Sequence, residues 1–175
     1  QDLDDFFEEL GSILQGNPQK DVLIVLNTIR CSRDVYKFVR DLNLPNTVLY
    51  YLSTQIIPKH RKKRIERIRE KDCFCRRKVI VSTQLIEAGV DIDVDIVVRD
   101  FAPVDSINQV AGRCNRNGGK GLGNVYLYSL KNKKGVPYHS FIYDSFLIST
   151  TKDVLQKYDV IEEKEFGLLI KEYFE

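Results

Sequence analysis

The sequence predicts an α/β fold: a mostly parallel sheet flanked by helices, with extra helices toward the C-terminal end. Three observations carry this reading. Short apolar runs, led by Asp21-Val22-Leu23-Ile24-Val25-Leu26, have the character of strands buried on both faces. Stretches with helical apolar spacing alternate with those runs. After Gly135 the alternation stops and only helical patterns remain. At 175 residues the chain is long enough for one domain with its own core, able to remove roughly 70% of its unfolded surface from water.

Taken in order, Leu3, Phe6, Phe7, Leu10 and Leu14 mark an amphipathic helix, weakened at its end by Gly11 and Gly16. Asn17-Pro18 is a turn, and the run at 21–26 is the first strand. Cys31, Val35, Phe38, Val39 and Leu42 mark a second helix. A turn at 43–46 leads to a second strand at 47–52. Pro58 opens a basic helix whose inward residues are chiefly Ile65 and Ile68. Val79-Ile80-Val81 is a third strand, 85–88 a short helical piece stopped by Gly89, and Ile96-Val97-Val98 a fourth strand. A short helix within 105–119, a glycine-rich loop and a fifth strand at 124–130 follow. Phe141, Ser145, Phe146 and Ile148 suggest a further helix, as do Phe166, Leu169, Ile170 and Phe174. The expected division is a domain at 1–135 and a helical extension at 136–175, which packs on it or leads to another domain.

The net charge of +2 hides an asymmetry: between 59 and 78, eleven Lys/Arg stand against three acids, a local +8 that leaves −6 for the rest. Such a block either meets a polyanion or is a solvated face. Of the four cysteines, Cys73 and Cys75 are spaced C-x-C with no histidine near them. That spacing suits neither zinc nor a redox dithiol, so reduced thiols in a cytoplasmic protein and no metal site are expected. The acidic N-terminus has no leader pattern, and no apolar run approaches the roughly 18 residues of a membrane span, so no membrane partner is expected.

Chemistry in an open parallel sheet sits beyond the carboxyl ends of its strands. Asn27-Thr28, Ser53-Thr54 and Ser82-Thr83 fall there. Their hydroxyls and amides suit phosphate oxygens, and equally suit helix caps. Gly89-Val90-Asp91 is expected near the same edge, either as a close approach for a ligand with a carboxylate for a ribose hydroxyl, or as a helix stop and a polar loop residue. Asp91, Asp93 and Asp95 alternate as a segment leading into a strand would, without a metal. The loop from Asn117 to Gly123 lacks the G-x-x-x-x-G-K-[ST] pattern and reads as a turn. His60 and His139 are isolated.

The stretch 105–119 is the most informative. Read as a helix starting near Pro103 and stopping at Gly118-Gly119, it places Ile107, Val110, Ala111 and Cys114 on one face. Gln109, Arg113 and Arg116 fall on the other. Two cations one turn apart repel, and no acid between 106 and 119 neutralises them. The face is either solvated or built for an anion such as a phosphate.

At this point the sequence resembles a known family. Val79-Ile80-Val81-Ser82-Thr83-Gln84-Leu85-Ile86-Glu87-Ala88-Gly89-Val90-Asp91-Ile92-Asp93 resembles motif V of superfamily 2 helicases. Gln109-Val110-Ala111-Gly112-Arg113-Cys114-Asn115-Arg116 resembles their motif VI, Q-x-x-G-R-x-x-R. The likeness runs from about residue 20 to 130 and, with 21–40 resembling motif IV, corresponds to the second RecA-like domain of these motors. In detailed wording it is most similar to the helicase–nuclease of type I CRISPR systems.

The resemblance implies a RecA-like domain of the P-loop NTPase type at 1–135, forming one wall of an ATP site. A first RecA-like domain would supply the phosphate loop and the Asp-Glu box with its Mg²⁺; neither motif occurs in this chain, so the chain alone is expected to lack ATP turnover. Arg116 would be the arginine finger, Arg113 a second phosphate contact, and Gln109 would position the γ-phosphate or attacking water. Gly89 and Asp91 would lie near ribose and phosphates. Asn27, Thr28, Ser53 and Thr83 would track the phosphates of a bound single strand, DNA in the CRISPR reading and RNA in the alternative. Val110 departs from the many helicases with arginine there. A nuclease domain and a CRISPR surveillance complex are implied partners in antiviral defence. A non-catalytic nucleic-acid-binding module and a fragment of an RNA helicase are the alternatives.

Overall fold

In the computed structural model, the described residues are 1–70, 74, 76–87, 90–118 and 122–174. Five strands form one sheet: β1 (Val22–Val25), β2 (Thr47–Leu52), β3 (Arg77–Ser82), β4 (Ile96–Asp100) and β5 (Asn124–Tyr128). Their spatial order is β2-β3-β1-β4-β5, and every pairing is parallel. The central strand is the one with the longest apolar run, because a strand with neighbours on both sides and helices on both faces has no solvated side.

Alternate residues serve opposite layers. Val22, Ile24, Val79, Val81, Ile96 and Val98 face α1 (Leu3–Gly16) and α2 (Ile29–Asp41), whose Phe6, Leu10, Leu14, Val35 and Val39 complete that core. Leu23, Val25, Ile80 and Val97 face the other way. They pack against Ile68 of α3 (Pro58–Arg69), Val110 of α4 (Val104–Ala111) and the segment Val90, Ile92 and Val94. The turn at 43–46 has Asn43 and Asn46 in the left-handed region, φ 47 at both, a conformation asparagine tolerates better than most residues. Pro58 occupies the first turn of α3, where its missing N–H costs nothing.

After β5 come two further helices, α5 (Ser145–Leu155) and α6 (Phe166–Phe174). Val154, Leu169 and Tyr173 bury against Val104 at the start of α4, a third apolar cluster. Phe141, Phe146 and Phe174, read as part of the helical pattern, are exposed; Ile148 and Leu169 carry the packing. Among the described residues no helix is long and apolar enough to cross a membrane.

Three expectations are corrected. The short piece after β3 is a 3-10 turn, Gln84–Ile86, and Ala88 and Gly89 lie outside the described residues. The fifth strand stops at Tyr128. The helix expected within 105–119 ends at Ala111, with Gly112 as its C-cap. A β-bridge overrides it: Val94 N–H donates to the Arg113 carbonyl (3.0 Å) and Asn115 N–H to the Val94 carbonyl (2.8 Å). Asn115 turns to φ 48, and the chain cannot continue helically.

This bridge is a tight fit. A Cβ on Gly123 would stand 2.5 Å from Cys114 Sγ and 3.1 Å from Asn115 Cβ. Gly123→Ala is expected to lower stability by about 1–3 kcal/mol, seen as a lower urea midpoint at unchanged m-value. Gly16→Ala, where a Cβ meets nothing within 4 Å, should leave the midpoint level or raise it.

Candidate functional site

Because all five strands run the same way, their carboxyl ends share one edge, and Asn27, Thr28, Ser53 and Thr83 stand along it. They differ in availability. Thr28 is half-exposed and caps α2, its hydroxyl accepting from Cys31 N–H (3.2 Å). Asn27, Ser53 and Thr83 are buried. Asn27 is engaged at both ends of its amide: Nδ2 donates to the Phe101 carbonyl (2.7 Å) and Oδ1 accepts from Arg99 (2.7 Å). The Ser53 hydroxyl has no hydrogen-bond partner among the described residues.

Asp91, Arg113 and Arg116 do not lie at that edge, contrary to the expected position of Asp91. The chain runs back from β3 along the α3/α4 face before entering β4. Asp91 therefore sits near the amino-terminal ends of the strands, where Arg69 at the last turn of α3 donates to its carbonyl (3.0 Å). The Asp91 carboxylate pairs with Arg116 Nη1 at 2.6 Å. The two cations thus do have a counter-ion, from another segment. Asp93 accepts from Arg116 N–H (2.9 Å) with one oxygen and from Asn117 Nδ2 (2.8 Å) with the other. Asp95 accepts from Asp21 N–H (2.7 Å). Asp91 and Asp93 both hold the segment 116–117 while Asp95 holds the start of β1, and among the described residues no group of acidic, histidine or cysteine side chains could hold a metal ion.

Arg116 and Asp91 remain 45% and 70% exposed, so their ion pair is weak and easily exchanged for another anion. Arg113 is half-buried. Its Nη2 donates to the Glu87 carbonyl (3.2 Å), while its buried Nε has no partner among the described residues. Burial, followed by repulsion from Arg116, lowers its pKa; Asp91 acts in the opposite sense. An arginine with an unfilled donor beside a second arginine is suited to receive an oxyanion. Gln109 is exposed on α4, and Gly89 lies outside the described residues. A cleft of about 310 Å³ opens beside Asp91, lined also by Ile68, Arg69, Asp93 and Asn117; neither Arg113 nor Arg116 lines it. Of the two arginines, Arg116 is the one presented to solvent.

The residue that sequence reasoning missed is Arg99, fully buried near the end of β4. Besides Asn27, its Nη2 donates to Glu87 Oε1 (2.7 Å) and to the Tyr143 hydroxyl (2.9 Å). The other Glu87 oxygen accepts from Ser106 Oγ of α4 (3.2 Å). Burial pushes the Glu87 pKa up, opposed by Arg99 and Ser106. The signal was present: an arginine inside the apolar run Ile96-Val97-Val98-Arg99-Asp100 cannot be buried on both faces without polar partners.

Comparison with known proteins places the chain in a family. Residues 18–119 match the family model described as CRISPR-associated nuclease/helicase Cas3, C-terminal. A CRISPR-associated nuclease/helicase Cas3 from Methanothermobacter thermautotrophicus is 28% identical over 96% of this chain and 22% of its own length. A Methanocaldococcus jannaschii protein named putative CRISPR-associated nuclease/helicase Cas3 is 34% identical over 78% of this chain and 18% of its own length. The chain thus spans about a fifth of these curated relatives. Among solved structures, that of T. fusca Cas3-ATP superposes with a TM-score of 0.81 at 21% identity, covering 97% of this chain and 22% of that one. A chain of a pre-nicking CRISPR RNA-guided surveillance complex superposes with a TM-score of 0.72 at 22% identity, covering 96% and 23%. At such identities the structures speak to the fold: a parallel α/β sheet of the RecA-like kind.

Next to Arg99, Asp100 is 1% exposed, and burial pushes its carboxyl pKa up to about 7, against the Leu130 N–H and the Arg99 charge. A carboxyl whose folded pKa is raised keeps a proton that the unfolded chain gives up. Stability therefore falls as pH rises between roughly 4 and 7, and levels off above. Asp100→Asn should gain on the wild type through that window, by at most about 1.4 kcal/mol per pH unit crossed, and denaturant midpoints at pH 5 and 8 measure it.

Proposed function

Because the chain belongs to the Cas3-like C-terminal family, we propose that it is the second RecA-like domain of an ATP-dependent superfamily 2 helicase or translocase, working on single-stranded DNA in CRISPR antiviral defence. The observation that carries this reading is the separation of two polar subsites in one rigid domain. Arg113, Arg116 and Asp91 form a cationic half-site in which Arg116 and Asp91 are exposed; Asn27, Thr28, Ser53 and Thr83 line the sheet edge. A motor needs both, because strand grip and nucleotide state must be felt by the same body.

In this reading a facing RecA-like domain holds the phosphate loop and Mg²⁺, and the bound nucleotide supplies the phosphoanhydride bond that water cleaves. The residues of this chain do the rest. Arg116 leaves the exposed Asp91 carboxylate for the γ-phosphate oxygens as the domains close. Arg113, whose Nε has no partner among the described residues, takes a second oxygen. Gln109, exposed on α4, orients the γ-phosphate or the attacking water. Asp91, once released, accepts from a ribose hydroxyl, with Gly89 beside it. Thr28, the most accessible of the edge residues, leads the strand contacts, with Asn27, Ser53 and Thr83 behind it. Delivery of Arg116 from a separate domain ties hydrolysis to closure. A nuclease domain and a surveillance complex complete the assembly in the cytoplasm.

A finger arginine contributes a rate factor of roughly 10³ to 10⁵. In the full-length motor, Arg116→Ala is expected to remove ATP hydrolysis to that extent while leaving ATP affinity largely intact; turnover close to wild type would end the finger assignment.

One observation favours a second reading, a module that binds nucleic acid without catalysis. Lys59, Arg61, Lys62, Lys63 and Arg67 line α3 and make no ion pair with a described residue. Arg64 and Arg69 differ, being engaged with the Tyr51 and Asp91 carbonyls. Replacing Lys59, Lys62, Lys63 and Arg67 by Gln should flatten the salt dependence of single-strand binding by about 0.7 per cation that touches a phosphate. An unchanged slope would make α3 a solvated face.

A further inference from the structure

The two proposed subsites are joined by a buried polar chain that neither of them needs for its own contacts. At the sheet edge, Asn27 Oδ1 accepts from Arg99 Nη1 (2.7 Å), and the Asn27 carbonyl accepts from Gln84 Nε2 (2.8 Å). Arg99 Nη2 continues to Glu87 Oε1 (2.7 Å). The carbonyl of that same Glu87 receives Arg113 Nη2 (3.2 Å). Two side links brace the chain: Ser106 Oγ of α4 to the second Glu87 oxygen (3.2 Å), and the Tyr143 hydroxyl, from the segment leading into α5, to Arg99 (2.9 Å). Arg99 is 0% exposed and its ion-pair partner Glu87 only 12% exposed.

We infer that the Arg99–Glu87 pair is a positioning device that couples strand binding at Asn27 to nucleotide binding at Arg113. The inference rests on the motor reading above. A buried guanidinium is planar and forked, so it cannot follow one partner without turning away from the others. Its partners come from the β1 end, the segment after β3 and the segment before α5. If a strand phosphate displaces Asn27, Arg99 must re-aim. Glu87 shifts with it, and the carbonyl that holds Arg113 moves. A low-dielectric site makes this discrete: the pair stays satisfied in one arrangement or another, because an unpartnered buried charge is costly. Tyr143 gives the C-terminal extension a hand on the same switch. Ser106 carries it to the helix that leads into Arg113.

The test is thermodynamic, in the full-length motor. The dissociation constant of a non-hydrolysable ATP analogue is measured without and with saturating single-stranded DNA, and the ratio is the coupling. Reciprocity requires the same ratio for the strand with and without nucleotide. Glu87→Gln, Ser106→Ala and Tyr143→Phe each alter one link with little change of volume, and a thermal melt confirms that each variant folds. The expected result is a coupling ratio reduced by roughly 2- to 30-fold in each. In an Arg113→Lys background, Glu87→Gln should lose most of its effect, because the two act through one contact. A merely structural role would move both dissociation constants together and leave the ratio unchanged, which overturns the coupling while the motor stands. A wild-type ratio of one, with no strand-stimulated hydrolysis, overturns the motor reading and the coupling with it.

Discussion

The guanidinium of Arg99 is out of water at the carboxyl end of an otherwise apolar strand, and much of the surrounding architecture answers to that fact. A buried cation without partners is not tolerated, and removing one partner of a buried pair typically costs about 3–5 kcal/mol. The partners must therefore converge. Asn27 comes from the end of β1, Glu87 from the segment after β3 and Tyr143 from the start of the extension. None of these segments is tied by a strand ladder at that point. The charge does what the sheet cannot do beyond its own edge: it fixes where loops from different crossovers meet.

The sheet itself was legible because its signal is local. Continuous apolar runs of three to five residues, the first three followed by small polar pairs, admit few structures other than buried parallel strands, and the helices between them follow from spacing. The course of the chain around Arg113 and Arg116 was not legible in this way. Helical spacing from Gln109 to Arg116 is real in the sequence, but Gly112 ends the helix and Val94 captures the chain into a bridge. A pairing between residues 94 and 114 has no mark in either segment alone. The same holds for Asp91. Its place between two strands is evident from the order of elements, whereas the edge it occupies depends on how the chain returns across the α3/α4 face. Arg99 was legible in principle, as a charge in a two-sided strand, and its partners were not.

The cluster of Arg113, Arg116 and Asp91 illustrates how exposure, more than identity, sets what a side chain is free to do. Two arginines and an aspartate sit together, but they are held unequally. Arg113 is partly desolvated, bonded to a carbonyl and left with a spare donor. Arg116 is in an exposed pair, of the kind that contributes about 0–1 kcal/mol. Its backbone, by contrast, is fixed by Asp93. A long side chain on a pinned backbone, with a counter-ion that costs little to leave, can be redirected without refolding. Nothing comparable holds for Arg99, whose every movement requires its partners to move.

The extension is bound into this arrangement rather than appended to it. The cap residue of α4, Pro103, makes no side-chain cap bond, and the N–H of Val104 is met instead by Thr151 Oγ1 of α5 (3.2 Å). Val104 also buries against Val154, Leu169 and Tyr173. The first turn of the helix that leads to Arg113 is thus completed by residues more than forty positions further along the chain. Tyr143 adds a bond from the same region to Arg99. A displacement of the extension would uncap α4 at one end and loosen Arg99 at the other. Its helices belong to the mechanical unit of the domain, because the end of α4 that faces them has no means of satisfying itself.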